Sequence, residues 1–190
     1  MNKERQLQYD QAYMKMAKAI GELSYANRNK VGCVIVSKNG QVISQGFNGT
    51  PTGYDNCCED AHCSCKWIHG CAVEAKPIDE VLNVEFCSTA ALREFEDPLY
   101  GIKGRPCQYL TLTTKPEVLH AESNAIAKCA KWISSTEGAT LYVTLSPCFD
   151  CSKTIIQAGI IRVCYCEEYR DTTGIDFLKQ NGIIVDKIEI

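Results

Sequence analysis

The chain has no apolar run near the roughly 18 residues that a membrane-crossing helix needs, so a membrane span is not expected. Its start, Met1-Asn2-Lys3-Glu4-Arg5-Gln6, is polar and lacks the apolar stretch of a secretory signal. Lysine and arginine form no run. Twenty basic residues against 23 acidic ones leave a net charge of −3. A protein that grips a polynucleotide usually carries a basic face, so the balance favours a small ligand. Cysteine, by contrast, is plentiful, with 13 in 190 residues. Without a signal segment this predicts a reducing, cytoplasmic setting and metal binding, not a disulfide scaffold. Cys33, Cys87, Cys129, Cys164 and Cys166 stand among apolar residues and read as small core side chains.

The length suits one domain with an elaboration. From Gln8 to Ala26, Tyr9, Tyr13, Met16, Ala17, Ile20 and Leu23 recur at helical spacing, a stripe for the core or a subunit interface. Val31 to Val36 reads as a buried strand, and Asn39-Gly40 as a hairpin turn into Val42 to Gly46. Toward the other end, strand and helix alternate: Leu141 to Leu145, Cys148 to Ala158, Ile160 to Cys166, Thr173 to Gln180, Ile183 to Ile188. Such alternation predicts parallel strands. Ligands in open α/β sheets bind beyond the carboxyl ends of strands, where Ser146-Pro147-Cys148 falls.

Between these regions, Thr50 to Leu119 reads as an insertion of weak periodicity. Its early part holds Cys57, Cys58, His62, Cys63, Cys65, His69 and Cys71. Two readings stay open for this cluster. One is a second, structural zinc that limits the entropy cost of ordering a long polar loop. The other is a set of reduced cysteines that bind nothing. The later part, through Pro77 and Pro98, reads as solvated surface with at most short helices.

Two short motifs carry the chemistry: His120-Ala121-Glu122 and Pro147-Cys148-Phe149-Asp150-Cys151. Zinc takes a tetrahedral shell of Cys sulfur and His nitrogen, and a catalytic site keeps one position for water. His120, Cys148 and Cys151 supply three ligands, with no second tight pair nearby to close the shell as in a purely structural site. Glu122 is then free to carry protons. Pro147 reads as a first helical residue, placing Cys148 and Cys151 on one face of a first turn, where the helix dipole favours thiolate. Ile126, Cys129, Ala130 and Ile133 form a stripe downstream of His120, so His120 falls near a helix start. Two helix N-termini would converge on one metal.

The pairing of H-x-E with P-C-x-x-C is a signature of zinc nucleobase deaminases. Three segments go further: His120-Ala121-Glu122-Ser123-Asn124-Ala125, Tyr142-Val143-Thr144-Leu145-Ser146-Pro147-Cys148 and Gly46-Phe47-Asn48-Gly49-Thr50-Pro51 resemble the deoxycytidylate (dCMP) deaminase family, the phage members above all. The resemblance covers about residues 31–56 and 120–185. The family has Tyr where Phe47 stands and Leu or Met where Ser123 stands.

What the resemblance implies is an α/β fold, a cytidine-deaminase-like α/β/α sandwich with a mixed five-stranded sheet. Residues 1–190 would form a single domain, with a long insertion, about 50–119, before the zinc-site helix. The reaction would be hydrolytic deamination of dCMP to dUMP and ammonia, supplying dUMP for dTTP synthesis. Asn48 would hydrogen-bond the deoxyribose, its alternative being a turn residue before Gly49. Ala121 and Ser146 would read the cytosine edge, and Tyr169 would stack on the base unless it is a plain surface aromatic. Arg28, beside Lys30, would hold the 5′-phosphate, its alternative being a solvated cation. The family pattern adds a homohexamer, activation by dCTP with Mg²⁺ and inhibition by dTTP. Two rival classes are a deaminase acting on tRNA or single-stranded DNA and a non-enzymatic zinc module.

Overall fold

A computed structural model describes residues 2–63, 76–77, 95–96, 103–104 and 110–190. The first helix, α1 (Lys3–Gly21), starts where the Asn2 side chain accepts a hydrogen bond from the Arg5 amide at 2.8 Å. Strands β1 (Gly32–Val36) and β2 (Val42–Phe47) form the hairpin expected around Asn39-Gly40. Helix α2 (Ala121–Lys131), β8 (Thr140–Leu145), α3 (Phe149–Gln157), β9 (Arg162–Glu167), α4 (Thr173–Gln180) and β10 (Ile184–Lys187) follow later in the chain. The main sheet has the order β10-β9-β8-β1-β2. β8, β9 and β10 run parallel through the α3 and α4 crossovers, and β1 is antiparallel to β8 and to β2. This is the mixed five-stranded sheet and the α/β class that the family resemblance implies.

Both faces of the sheet are covered, which explains why its strands read as continuous apolar runs. Side chains alternate between the faces. Val34, Val36, Tyr142 and Cys164 pack with Met14 and Ala17 of α1. Cys33, Ile35, Leu141, Val143, Val163 and Tyr165 pack on the other side with Ala125, Ile155 and Leu178 of α2, α3 and α4. Cys33, Cys129 and Cys164 are buried in this core, as expected; Cys166 is half-buried, and Cys87 lies outside the described residues.

Two helices differ from the sequence reading. α1 runs from Lys3 to Gly21, not from Gln8 to Ala26, and its buried face is Asp10, Met14, Ala17 and Gly21. Tyr9, Met16 and Leu23 are exposed. Ala17, Tyr13 and Ile20 of the expected stripe do pack against the core, but a reading by hydrophobicity misses Asp10 and Gly21, a charge and a glycine on the same buried face. In α2 the buried residues are Ala121, Glu122, Ala125 and Cys129, whereas Ile133 is 95% exposed. The helix ends before Ile133, which turns outward with φ +57° while the Ser134 amide bonds back to the Cys129 carbonyl.

The expected insertion begins and ends in sheet. β3 (Glu59–Cys63) pairs antiparallel with β7 (Leu110–Thr114) and with the short β4 (Lys76–Pro77). The two-residue strands β5 (Phe95–Glu96) and β6 (Lys103–Gly104) pair with each other. The stretch read as surface with at most short helices therefore carries strand pairs, set by partners that local periodicity does not reveal.

Asp10 ties α1 to the sheet. Arg162 on β9 grips its two oxygens at 2.8 and 2.9 Å, the Tyr142 hydroxyl donates at 2.7 Å and Gln6 at 2.9 Å, while Arg162 Nε reaches Asp186 at 2.8 Å. Burial alone would raise the Asp10 carboxyl, but the hydrogen bonds from Arg162, Tyr142 and Gln6 outweigh it and hold the group below the ordinary carboxylate range. Its stabilising contribution is therefore fully present above the unfolded-state value of about 3.9 and is lost as pH falls through the lower folded value. Asp10→Ala leaves Arg162 with Asp186 alone and takes the acceptor from the buried Tyr142 hydroxyl, and should cost about 2–3 kcal/mol in urea unfolding. Asp10→Asn should flatten the acid limb of the stability–pH curve; an unaltered acid limb would contradict this account.

Candidate active site and metal centre

β8 delivers the chain to Ser146, buried at the carboxyl edge of the sheet, and Pro147 leads into α3. Cys148 is the N-cap of α3 and Cys151 lies in its first turn. The helix thus starts two residues later than Pro147 suggested. Across from it, His120 is the N-cap of α2, followed by Ala121 and Glu122. The His120 ring does not cap its own helix; it faces the two sulfurs at the start of α3. His120 Nδ1 lies 3.5 Å from Cys148 Sγ and 3.3 Å from Cys151 Sγ, and the three ligand atoms sit within 4.8 Å of one another.

Small residues bring the two helix starts together. A Cβ on Gly46 of β2 would lie 2.5 Å from the Ala121 carbonyl oxygen and 2.6 Å from the Ala125 nitrogen. Only glycine lets α2 lie so close to the sheet edge. Gly174 does the same for α4, whose first turn rests on the Pro147 and Cys148 backbone. Ser152 closes this corner by donating to the Cys148 carbonyl at 2.9 Å and reaching the Gly174 carbonyl at 3.0 Å. Ser123, at the position where the dCMP deaminase pattern departs, brings its hydroxyl to 3.9 Å from Cys151 Sγ.

The electrostatics suit a soft cation. Hydrogen bonds from Cys151 and from His120 pull the Cys148 thiol well down, so the sulfur pair holds a negative charge. The Cys148 hydrogen bond in turn raises His120 above its ordinary value. Burial raises the Glu122 carboxyl, which is 4% exposed. One imidazole and two sulfurs form the donor set of a catalytic zinc site, and Glu122 supplies an adjacent acid–base group. Among the described residues this is the group of three that could hold a metal.

A cavity of about 390 Å³ opens over His120, Cys148 and Glu122. The structure brings all the expected contact residues to it: Asn48, Ala121, Ser146, Tyr169 and Arg28. Asn48 is more than a turn residue. Its side chain accepts from the Val31 amide and donates to the Asn29 carbonyl, both at 2.8 Å. Tyr169 is half-buried and fixed from beneath, its amide donating to the Ser146 hydroxyl at 2.8 Å. Arg28 is exposed, with Nη1 donating to Thr114 at 3.2 Å. The cavity also has a wall that sequence reasoning missed: Asn29, Glu59, Thr114, Glu167, Glu168 and Arg170. Of the second metal set, Cys57 is buried and turned to the Glu59 carbonyl at 3.5 Å. The side chains of His62 and Cys63, and Cys65, His69 and Cys71 entirely, lie outside the described residues.

Comparison with known proteins agrees with this geometry. The family model of the cytidine and deoxycytidylate deaminase zinc-binding region matches residues 7–167. The chain is 40% identical over 160 residues to the deoxycytidylate deaminase of Enterobacteria phage T4, covering 80% of this chain and 75% of that one. It is 31% identical over 160 residues to the enzyme of the same name from Mycobacterium phage D29, covering 84% and 95%. Its fold resembles the crystal structure of dCMP deaminase from cyanophage S-TIM5 in complex with dCMP and dUMP. That match has a TM-score of 0.65 and 37% identity over 98% of each chain.

If His120, Cys148 and Cys151 form one zinc site, Cys151→Ser should lower the zinc content of the purified protein by about one ion per chain. Elemental analysis checks this; unchanged zinc would remove Cys151 from the ligand set.

Proposed function

The chain belongs to the cytidine and deoxycytidylate deaminase zinc-binding family, and from that membership we propose that it hydrolyses dCMP to dUMP and ammonia. One observation carries the proposal most directly. A buried carboxylate, Glu122, stands beside a His120–Cys148–Cys151 cluster at the floor of a cavity large enough for a nucleotide. His120, Cys148 and Cys151 would hold the zinc, which when bound supplies Lewis acidity that brings the pKa of water to about 7.

The residues divide the remaining work. Glu122 removes a proton from the attacking water and passes it to the cytosine ring nitrogen, then takes the proton of the hydroxyl added at C4 and gives it to the departing amino group, which leaves as ammonia. Burial, which raises its pKa, suits a group that must both accept and donate near neutrality. The Ala121 backbone and the Ser146 region border the base edge. The Tyr169 ring offers the face on which the base stacks. Asn48 keeps one N–H and one lone pair beyond its two backbone bonds, enough for a sugar hydroxyl. Arg28 holds the 5′-phosphate by paired charged hydrogen bonds.

The wider reading is that the product feeds dTTP synthesis in the cytoplasm, the host cytoplasm for a phage-encoded enzyme. It includes a homohexamer activated by dCTP with Mg²⁺ and inhibited by dTTP. No helix among the described residues is long and apolar enough to cross a membrane, and the net charge of −3 speaks against a polynucleotide substrate.

A spectrophotometric assay on dCMP, with cytosine-containing oligonucleotides as controls and dCTP and dTTP as effectors, tests this reading. Glu122→Gln should retain its zinc while dCMP turnover falls by on the order of 10²–10⁴. Full turnover by that variant would remove Glu122 as the proton carrier, and no turnover of dCMP by the wild type would overturn the assignment.

A further inference from the structure

Glu59 is 1% exposed and lines the cavity wall, yet it belongs to β3, in the segment that looks like an insertion. Burying a carboxylate is costly unless strong hydrogen bonds satisfy it. Its hydrogen-bond partners among the described residues all lie on one turn. The Asn27 amide donates to its two oxygens at 3.0 and 3.2 Å, the Asn27 side chain at 3.4 Å, and the Arg28 amide at 3.2 Å. Directly opposite Glu59 in the β3–β7 register stands Thr114, whose hydroxyl accepts from the Arg28 guanidinium. Cross-strand partners project to the same side of a sheet. One strand pair thus holds Arg28 twice, by its backbone and by its head group. Asn48 secures the far end of the same turn at Asn29 and Val31.

We propose that Glu59, with Thr114, is a positioning residue that aims Arg28 at the 5′-phosphate, so that the base of the insertion belongs to the substrate site. This rests on the dCMP reading above. Glu59 does not touch the nucleotide; its side chain fixes the turn that does. A carboxylate near a phosphate is by itself repulsive, so the sign of its effect is diagnostic. If positioning outweighs repulsion, removing the charge weakens phosphate binding.

The test is a double-mutant cycle on the full chain: wild type, Glu59→Gln, Arg28→Ala and the double variant. Calorimetric binding of dUMP and of 2′-deoxyuridine is measured alongside dCMP kinetics. Glu59→Gln should weaken dUMP about tenfold and shift 2′-deoxyuridine far less, raising KM for dCMP more than it lowers kcat. In the Arg28→Ala background it should add no more than about twofold. Thr114→Val, at an exposed position and close to isosteric, should act in the same direction even if Glu59→Gln folds poorly. Independent, multiplying effects of the two substitutions would overturn the proposal, as would tighter dUMP binding by Glu59→Gln or equal losses for dUMP and 2′-deoxyuridine. If the wild type binds dUMP without turning over dCMP, the catalytic reading fails while the cycle still decides the role of Glu59. If it binds neither nucleotide, both fall.

Discussion

The site depends on how closely two helix starts approach each other at the carboxyl end of β8. His120 is the N-cap of α2 and Cys148 the N-cap of α3. Each helix therefore turns unsatisfied amide groups, and the positive end of its dipole, toward the same small volume. That field favours thiolate over thiol. The approach is possible because Gly46 admits the α2 backbone and Gly174 admits the α4 backbone behind Cys148. A side chain at either glycine would separate groups whose ligand atoms must stay within 4.8 Å of one another. The chemistry of the donor set is thus supported by backbone packing at and beside the donors themselves.

Rigidity at that corner is supplied from the opposite face of the sheet. α1 contributes no residue to the cavity wall, yet its Asp10 binds Arg162 of β9 and Tyr142 of β8, and Arg162 extends the network to Asp186 of β10. Two of these strands, β8 and β9, lead directly to Ser146 and Tyr169. The Ser146 amide bonds to the Glu167 carbonyl at 2.8 Å, and its hydroxyl receives the Tyr169 amide. Strand alignment on one face and loop alignment at the edge are therefore parts of one hydrogen-bonded frame. Such a frame holds Tyr169 at the cavity without relying on loop packing alone.

Much of this was legible in the chain, for a physical reason. Metal ligation and proton transfer demand particular side chains at short spacing, so His120, Cys148 and Cys151, with Glu122 beside them, announce themselves, and strand alternation in the last third follows from burial on both faces. What stayed hidden acts at a distance in sequence. Asp10 looks like a solvated residue until Arg162 is placed beside it, which is why the buried face of α1 was misjudged. Ile133 fits the α2 stripe by spacing, but the helix stops before reaching it, and spacing says nothing of where a turn leaves. Glu59 and Thr114 sit 55 positions apart in a region without periodicity, and only the β3–β7 register makes them neighbours.

The division between the visible and the hidden residues follows a division of labour. Bond making needs few groups at fixed separations, and the two motifs supply them from adjacent helix starts. Discrimination between a nucleotide and a nucleoside needs a cation held at one distance from the reacting carbon. A long, mobile arginine side chain does not meet that demand unless its backbone and its head are both restrained. In the proposal above, that restraint on Arg28 comes from β3 and β7, which enter and leave the elaboration between β2 and α2. A segment that starts and finishes in contact with the cavity is free to vary in its middle while its two ends stay fixed. The elaboration can then be long and weakly patterned without loosening the site, because only its first and last strands need to stay in register.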